Sequence, residues 1–375
     1  MPTLIPSPPF TTEVRIEACE CLTAFGGTGE TVRALLAGRV ALTPQAVLGS
    51  AGGELVPLAL LRERSFEESA PPNWLPALEA LAAQVPGEGW GTARRPVVIS
   101  SSNFGVGSLY AYRRTGDAAH LAYGTPHLCV DWLARQLGWG PNFTTISHAC
   151  VSAHLGILHA SRLLHSGMAE RVLVFSFDFL SPFVAGGFHA LRILNGGFPA
   201  PYAVRPNGSI GLGDGAAFAV LSKRGGDFVI RAQSVHNEMH HFTANQADGQ
   251  GFSACLLPLQ SAAAGMRLWL KGHGTGTLEA GRLEADALAG IFPEAGLVGW
   301  KGSLGHTLGS CGLVELAIAC SSIRDGRAPG TVGGGQPSFH AGVALQPFST
   351  REMDGVVCAS NAFGGAHAAF LLSHD

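Results

Sequence analysis

The chain reads as an α/β protein with buried sheets, and three observations say so. Short aliphatic and β-branched runs alternate along the 375 residues with stretches whose apolar residues recur at helical spacing. Hydrophobic residues make up 46% of the chain, while charged residues are only 14%, against a typical level of about 25%. Glycine is abundant, 51 in all, which suits tight strand-to-helix turns and close packing.

In order, residues 13–40 predict a strand and then an amphipathic helix, GETVRALLAG, closed by Gly38. Residues 50–74 are loop-rich. WLPALEALAAQV is helical by its period, and RPVVISSS is a buried strand running into NFGVGS. HLCVDWLARQLG predicts a helix ending on Gly138, and CVSAHLGILHASRLLHSG predicts a helix with a small-residue side, followed by the strand RVLVFSFD. After RPNGSIGLGDG come two strands, AAFAVLSK and DFVIRAQSV. The second half repeats the pattern: strand RLWLKG, helix RLEADALAGIF, helix GLVELAIACSSIRDG, and two strands around a glycine turn in DGVVCASNAFGGAHAAFLL. The alternation leaves the order of the layers open.

Bulk properties exclude several classes. A formal charge of −3 lacks the basic stripe that nucleic acid demands. No run of about 18 apolar residues predicts a membrane span. The start, MPTLIPSPPFTTE, has neither the basic nor the apolar region of a signal peptide. Eight cysteines are scattered without a C-x-x-C pair, so free thiols in a reducing cytoplasm are expected.

Three polar islands carry chemistry. Cys150, in HACVSA, sits where a helix begins; a buried structural thiol is one reading and a thiolate stabilised by a helix N-terminus the other. His273, in KGHGTGT, follows a strand between glycines, with Thr275 and Thr277 close behind. His306, in KGSLGHTLGSCGLVE, stands five residues after Lys301 and before a helix. Open α/β folds keep their chemistry at such strand ends.

In order, HACVSA, HGTGT, K-x-x-x-x-GH-x-x-G-x-x-G-x-x-E and NAFGGAH resemble the signature of β-ketoacyl-ACP synthases, elongating members of the condensing-enzyme (thiolase-fold) family. RPNGSIGLGDGAAFAVL and residues 13–39 resemble two further family segments. The resemblance implies a thiolase-like duplicated αβαβα sandwich, with residues 1–225 carrying the cysteine and 226–375 the two histidines. It implies a dimer, either of identical chains or with a second ketosynthase-like subunit, and an acyl carrier protein as partner. The phosphopantetheine arm arrives on the carrier, so no cofactor of the chain's own is expected.

By the same resemblance, Cys150 holds an acyl group, and His273 and His306 stabilise the enolate formed when malonyl-ACP loses CO2. Lys301 orients its neighbours and tunes His306, although an ion pair with Glu315 is an equally good reading. The amides of Cys150 and Phe363 form an oxyanion hole, the Phe363 side chain gates the pocket, and Gly364 and Gly365 allow close backbone approach. Thr275 and Thr277 hold the pantetheine arm, and Thr243 lines the entrance in His241-Phe242-Thr243.

The chain departs from the family in two places. Its NAFGGAH turn is two residues shorter than usual, with Ala366-His367 replacing Thr-Asn, and Arg282 stands where an acidic residue is common, although Glu284 is kept. These differences suggest a specialised synthase of polyene or polyketide assembly. His236, Glu238, His240 and His241 lack the convergent spacing of a zinc site, and Asp214 in GLGDG is expected to be structural. No metal is expected at Cys150, His273 and His306 either. Two alternatives are a chain-length-factor-like partner subunit, which is expected to lose the cysteine, and a thiolase-type acyltransferase, which uses a second catalytic cysteine and is disfavoured by His306 and the FGGAH ending.

Overall fold

The computed structural model describes residues 13–47, 54–62, 64–205, 208–333, 338–340 and 342–375. Pro206 and Asn207, part of the RPNGSIGLGDG segment, lie outside the described residues. β1 (Val14–Thr23) turns through β2 (Gly26–Gly27) into α1 (Thr28–Leu36), where Glu30 caps the helix by accepting the Gly27 N–H at 3.0 Å. β3 (Thr43–Ala46) and β4 (Leu55–Ala59) form a small side ribbon, so the loop-rich stretch holds one strand. Then come α2 (Leu75–Ala82), β5 (Val97–Ser100), α3 (Val106–Thr115), α4 (Pro126–Gln136) and β6 (Phe143–Ile146). α5 (Ser152–His165), β7 (Arg171–Asp178), α6 (Pro182–Ala190), β8 (Leu212–Gly213) and β9 (Gly215–Ser222) complete the first half.

The second half runs β10 (Phe228–Asn237), α7 (Gln250–Gln260), β11 (Leu268–Lys271), α8 (Leu278–Ile291), β12 (Gly296–Val298), α9 (Lys301–Leu304) and α10 (Cys311–Arg324). β13 (Arg327–Ala328) pairs with β14 (Phe348–Ser349), and β15 (Gly355–Ala362) with β16 (Ala366–His374) closes the chain.

The main sheet has the order β12-β11-β15-β16-β10-β1-β9-β7-β5-β6. Outward from the central β1–β10 pair, the two halves read β1, β9, β7, β5, β6 and β10, β16, β15, β11, β12, which is one winding used twice. Each half has an antiparallel pair, β7–β9 or β15–β16, followed outward by two parallel pairings. Parallel strands are buried on both faces, which is why RVLVFSFD and RLWLKG are continuous apolar runs.

Alternate residues of these strands point into different layers. Leu173 and Phe175 pack with Trp74, Leu78 and Leu133 from the α2 and α4 side. Val172 and Val174 join Ile157 of α5 and Leu313 and Leu316 of α10 in the central layer. In the second half, Leu268, Leu270 and Val357 pack against α7 and α8, while Trp269, Val356 and Cys358 face the same central layer. The result is five layers, α-β-α-β-α, with α5 and α10 in the middle. Burying a leucine there contributes about 1.5–3 kcal/mol relative to leaving it exposed.

Besides the one-turn α9, three helices escape the periodicity argument: α3 opens on glycine with mixed aromatic and basic residues, α6 holds Gly186-Gly187, and α7 has Pro258 inside it. Each is stabilised by packing against its neighbours more than by its own pattern.

Candidate active site

The two central helices occupy equivalent places in the two halves, and each is preceded by a reactive side chain. Cys150 lies just before α5, and His306 lies just before the turn into α10. His273 follows β11. The duplicated winding thus delivers three residues, far apart in sequence, to one point. Their ligand-type atoms all lie within 4.8 Å of one another, and all three side chains are buried.

The helix after the cysteine begins later than the sequence predicts. α5 starts at Ser152 with Val151 as its N-cap, and Cys150 stands outside it on a turn whose preceding residue, Ala149, has φ +45°. A left-handed alanine costs free energy and marks a backbone held for a purpose. Ser152 secures the turn, because its Oγ donates to the Ala149 carbonyl at 2.7 Å and accepts the His148 N–H at 2.8 Å. The small residues behind Cys150 let α5 lie close to the sheet: a Cβ on Gly156 would stand 3.1 Å from Val174 Cγ1.

Of the two readings left open for Cys150, burial favours the neutral thiol at rest. Burial pushes the Cys150 thiol up, the neighbouring Cys311 adds to this, and Lys301 opposes it. The helix N-terminus does not outweigh desolvation, so the resting residue is a thiol that ionises as it reacts.

The two histidines meet edge to face, with ring centroids 4.8 Å apart and planes at 88°. Burial holds both well below the ordinary histidine pKa, with Lys301 the next cause for each. They are neutral imidazoles. His306 Nδ1 accepts the Leu308 N–H at 3.2 Å, so the ring hydrogen belongs on Nε2, a buried atom with no other partner. An N–H offered to the cavity suits donation to a developing oxyanion and does not suit a metal. Glu284 fixes the His273 loop, accepting the His273 N–H, the Gly274 N–H at 3.0 Å and the Tyr202 hydroxyl at 2.9 Å.

Behind the histidines lies a buried charge cluster. Lys301 Nζ binds Glu315 Oε1 at 2.6 Å, so the pairing with Glu315 is present, and Lys271 contacts the other oxygen of the same carboxylate. Burial disfavours the Lys301 charge, but Glu315 more than offsets this and the net shift is upward. Glu315 is held low: burial raises it, and the two lysines together pull it further down.

A cavity of about 240 Å³ opens onto Cys150, His273 and His306, with Thr243, Thr275, Thr277 and Phe363 also in its wall. The Thr275 and Thr277 hydroxyls are 3.2 Å apart. Phe363 is 37% exposed and stacks on Phe188, with centroids at 6.0 Å. Gly364 and Gly365 do not line the cavity; their φ values of +85° and +75° make the turn, the Gly364 N–H donates to the Phe242 carbonyl at 2.8 Å, and a Cβ on Gly365 would collide with Glu238. A larger groove of about 540 Å³ between the ends of α7 and α8 has no histidine or cysteine in its wall.

The tempting His236 to His241 cluster is dispersed. Glu238 Oε2 lies 3.6 Å from Nε2 of His367, a ring that burial lowers to about 4, and His241 Nδ1 accepts the Thr243 and Ala244 N–H groups. Asp214 is structural, binding Arg64 at 2.9 Å and accepting the Leu61 and Leu180 N–H groups.

Four residues near the site escaped the motif reading. Lys271 stands two before His273. His154, four after Cys150, is buried with both ring nitrogens unpartnered. Cys311 donates its thiol to the Cys150 carbonyl at 3.2 Å, so the second cysteine here supports the first. Asn361 lines the cavity with its Oδ1 unpartnered.

The fold is thiolase-like, and a Cys-His-His set lies at its centre. Residues 228–334 match the family described as beta-ketoacyl synthase, C-terminal domain. The chain is 30% identical over 257 residues to 3-oxoacyl-[acyl-carrier-protein] synthase 2 of Coxiella burnetii, covering 62% of each chain. It is 28% identical over 316 residues to the synthase of the same name from Rhizobium meliloti, covering 72% of each. It is also similar to the structure of the ketosynthase ApeO in complex with its chain length factor ApeC from Xenorhabdus doucetiae, with TM-score 0.78 and 20% identity over 98% of this chain and 100% of that one. The chain is thus similar in sequence to β-ketoacyl-ACP synthases. Its match to the Coxiella synthase spans less than two thirds of that relative's length.

Proposed function

We propose that the protein is a decarboxylative β-ketoacyl-ACP synthase that extends an acyl chain by two carbons. The observation that carries this reading is the convergence of a buried thiol and two neutral imidazoles within 4.8 Å at the foot of one cavity. Cys150 Sγ attacks an acyl thioester, its proton leaving with the carrier thiol as the carrier C–S bond breaks, so the acyl group rests on Cys150. Malonyl-ACP then enters, with Thr275 and Thr277 holding the pantetheine arm and Thr243 at the entrance. Its C–CO2 bond breaks, CO2 departs, and the electron pair moves onto the thioester oxygen, where the N–H groups of His273 and His306 stabilise it. The enolate carbon attacks the acyl carbon on Cys150, the backbone amides of Cys150 and Phe363 bind the second oxyanion, and the sulfur is expelled. The β-ketoacyl chain remains on the carrier.

The partners in this reading are an acyl carrier protein and a second ketosynthase-like subunit, identical or different. Exposed Leu109, Leu121, Leu128 and Phe183 on α3, α4, α6 and the connection between α3 and α4 support a subunit contact. The eight cysteines are free, which supports a reducing, cytoplasmic setting, and no helix among the described residues is long and apolar enough to cross a membrane. A chain-length-factor role is disfavoured by the intact Cys-His-His set. The test is release of labelled CO2 from malonyl-ACP in the presence of acyl-ACPs of different length and unsaturation. CO2 and a β-ketoacyl product that both depend on the acyl donor support the reading; their absence with every donor, alone and with a partner subunit, overturns it.

A further inference from the structure

Lys271 is a buried charge with no part in the chemistry just described. It ends β11, is 0% exposed, and contacts Glu315, whose other oxygen already holds Lys301 at 2.6 Å. Burying an ammonium costs several kcal/mol, and one carboxylate needs only one lysine to neutralise it. Burial pulls Lys271 below its ordinary value and Glu315 opposes this; with Lys271 protonated, the trio holds two positive charges against one negative.

Its surroundings do not absorb the excess. Cys311 faces Lys271 from α10 and Cys358 from β15, both thiols pushed up by burial. His154 of α5 faces it as a neutral ring held at about 3 by burial, and Nζ lies 6.0 Å from the Trp300 ring centroid. His273 and His306 also feel its charge, and both are neutral. Glu284 of α8 is near, but its oxygens are taken by the Tyr202 hydroxyl and two backbone amides.

We propose that Lys271 is a positioning residue for the site: by sharing Glu315 it leaves the charge of Lys301 incompletely neutralised, and that charge favours the anionic form of Cys150 as it reacts. Lys301 is the cation that lowers Cys150, and Lys271 acts on it through the shared carboxylate. The purpose of this arrangement rests on the condensing reading, but its test needs no turnover.

The test is the rate of iodoacetamide alkylation of Cys150 against pH, read by intact mass and peptide mapping on the full chain, with Cys150→Ala as the site control. The local charge of the trio is one less than wild type in Lys271→Met, one more in Glu315→Gln, and unchanged in the double variant. At pH 8, Lys271→Met should react about tenfold more slowly and Glu315→Gln about tenfold faster, with the double variant near wild type. A purely structural role for Lys271 would not reproduce this order. A folded Lys271→Met with the wild-type profile overturns the proposal. If Lys271→Met does not fold, a Glu315→Gln rate no faster than wild type overturns it instead. The predicted order without any condensation would leave the proposal standing and sink the condensing reading alone.

Discussion

His273 and His306 stand edge to face at 4.8 Å, and each is held by a different backbone device: Glu284 grips the His273 loop, and the Leu308 amide binds His306 Nδ1. The second device dictates which His306 nitrogen carries hydrogen. In His306→Phe, which keeps a flat ring without a donor, acylation of Cys150 should persist while malonyl decarboxylation falls about 100- to 1000-fold. Acyl adduct by mass and labelled CO2 separate the two steps; equal loss of both would show that His306 serves the cysteine instead.

Glu284 should matter through the loop it holds. Glu284→Ala removes the acceptor for two amides and a buried tyrosine hydroxyl, at about 1–3 kcal/mol for each donor left unpaired. Thermal unfolding should show a lower Tm, and the CO2 assay a larger fall in kcat than in Cys150 acylation.

His154 and Gly312 are predicted to be coupled. A Cβ on Gly312 would lie 2.4 Å from His154 Nδ1, so Gly312→Ala forces a buried ring to move and should cost about 1–3 kcal/mol. Adding His154→Ala should recover part of that loss in a double-mutant cycle by denaturant unfolding.

The same histidine gives a pH signature. Burial lowers His154 to about 3, below its unfolded value of about 6.5. A base whose folded pKa is depressed contributes its full stability above the unfolded pKa, and that stability is lost as pH falls from about 6.5 towards 3. His154→Leu should therefore show a shallower fall of Tm between pH 6.5 and 4 than wild type. Identical slopes would contradict the neutral, buried state.

Much of this was legible in the sequence, for physical reasons. Continuous apolar runs and period-3.6 patterns revealed the buried strands and both central helices, because the strands are buried on both faces and the helices carry apolar residues at helical spacing. Cys150, His273 and His306 stood out because glycines and small residues flank each of them. Lys271, His154 and Cys311 did not, because their meaning lies in partners from other elements: Lys271 reads as a strand-end lysine until Glu315 of α10 meets it. The net direction of the Cys150 shift was hidden likewise, since a local helix-end argument cannot weigh the desolvation imposed by five layers.

The most direct measurement is the intact mass of wild type and Cys150→Ala after acyl-ACP and then malonyl-ACP. The account predicts one acyl adduct, on wild type only, discharged by malonyl-ACP as a β-ketoacyl chain two carbons longer on the carrier. An adduct that survives Cys150→Ala, or one that malonyl-ACP leaves in place, would contradict it.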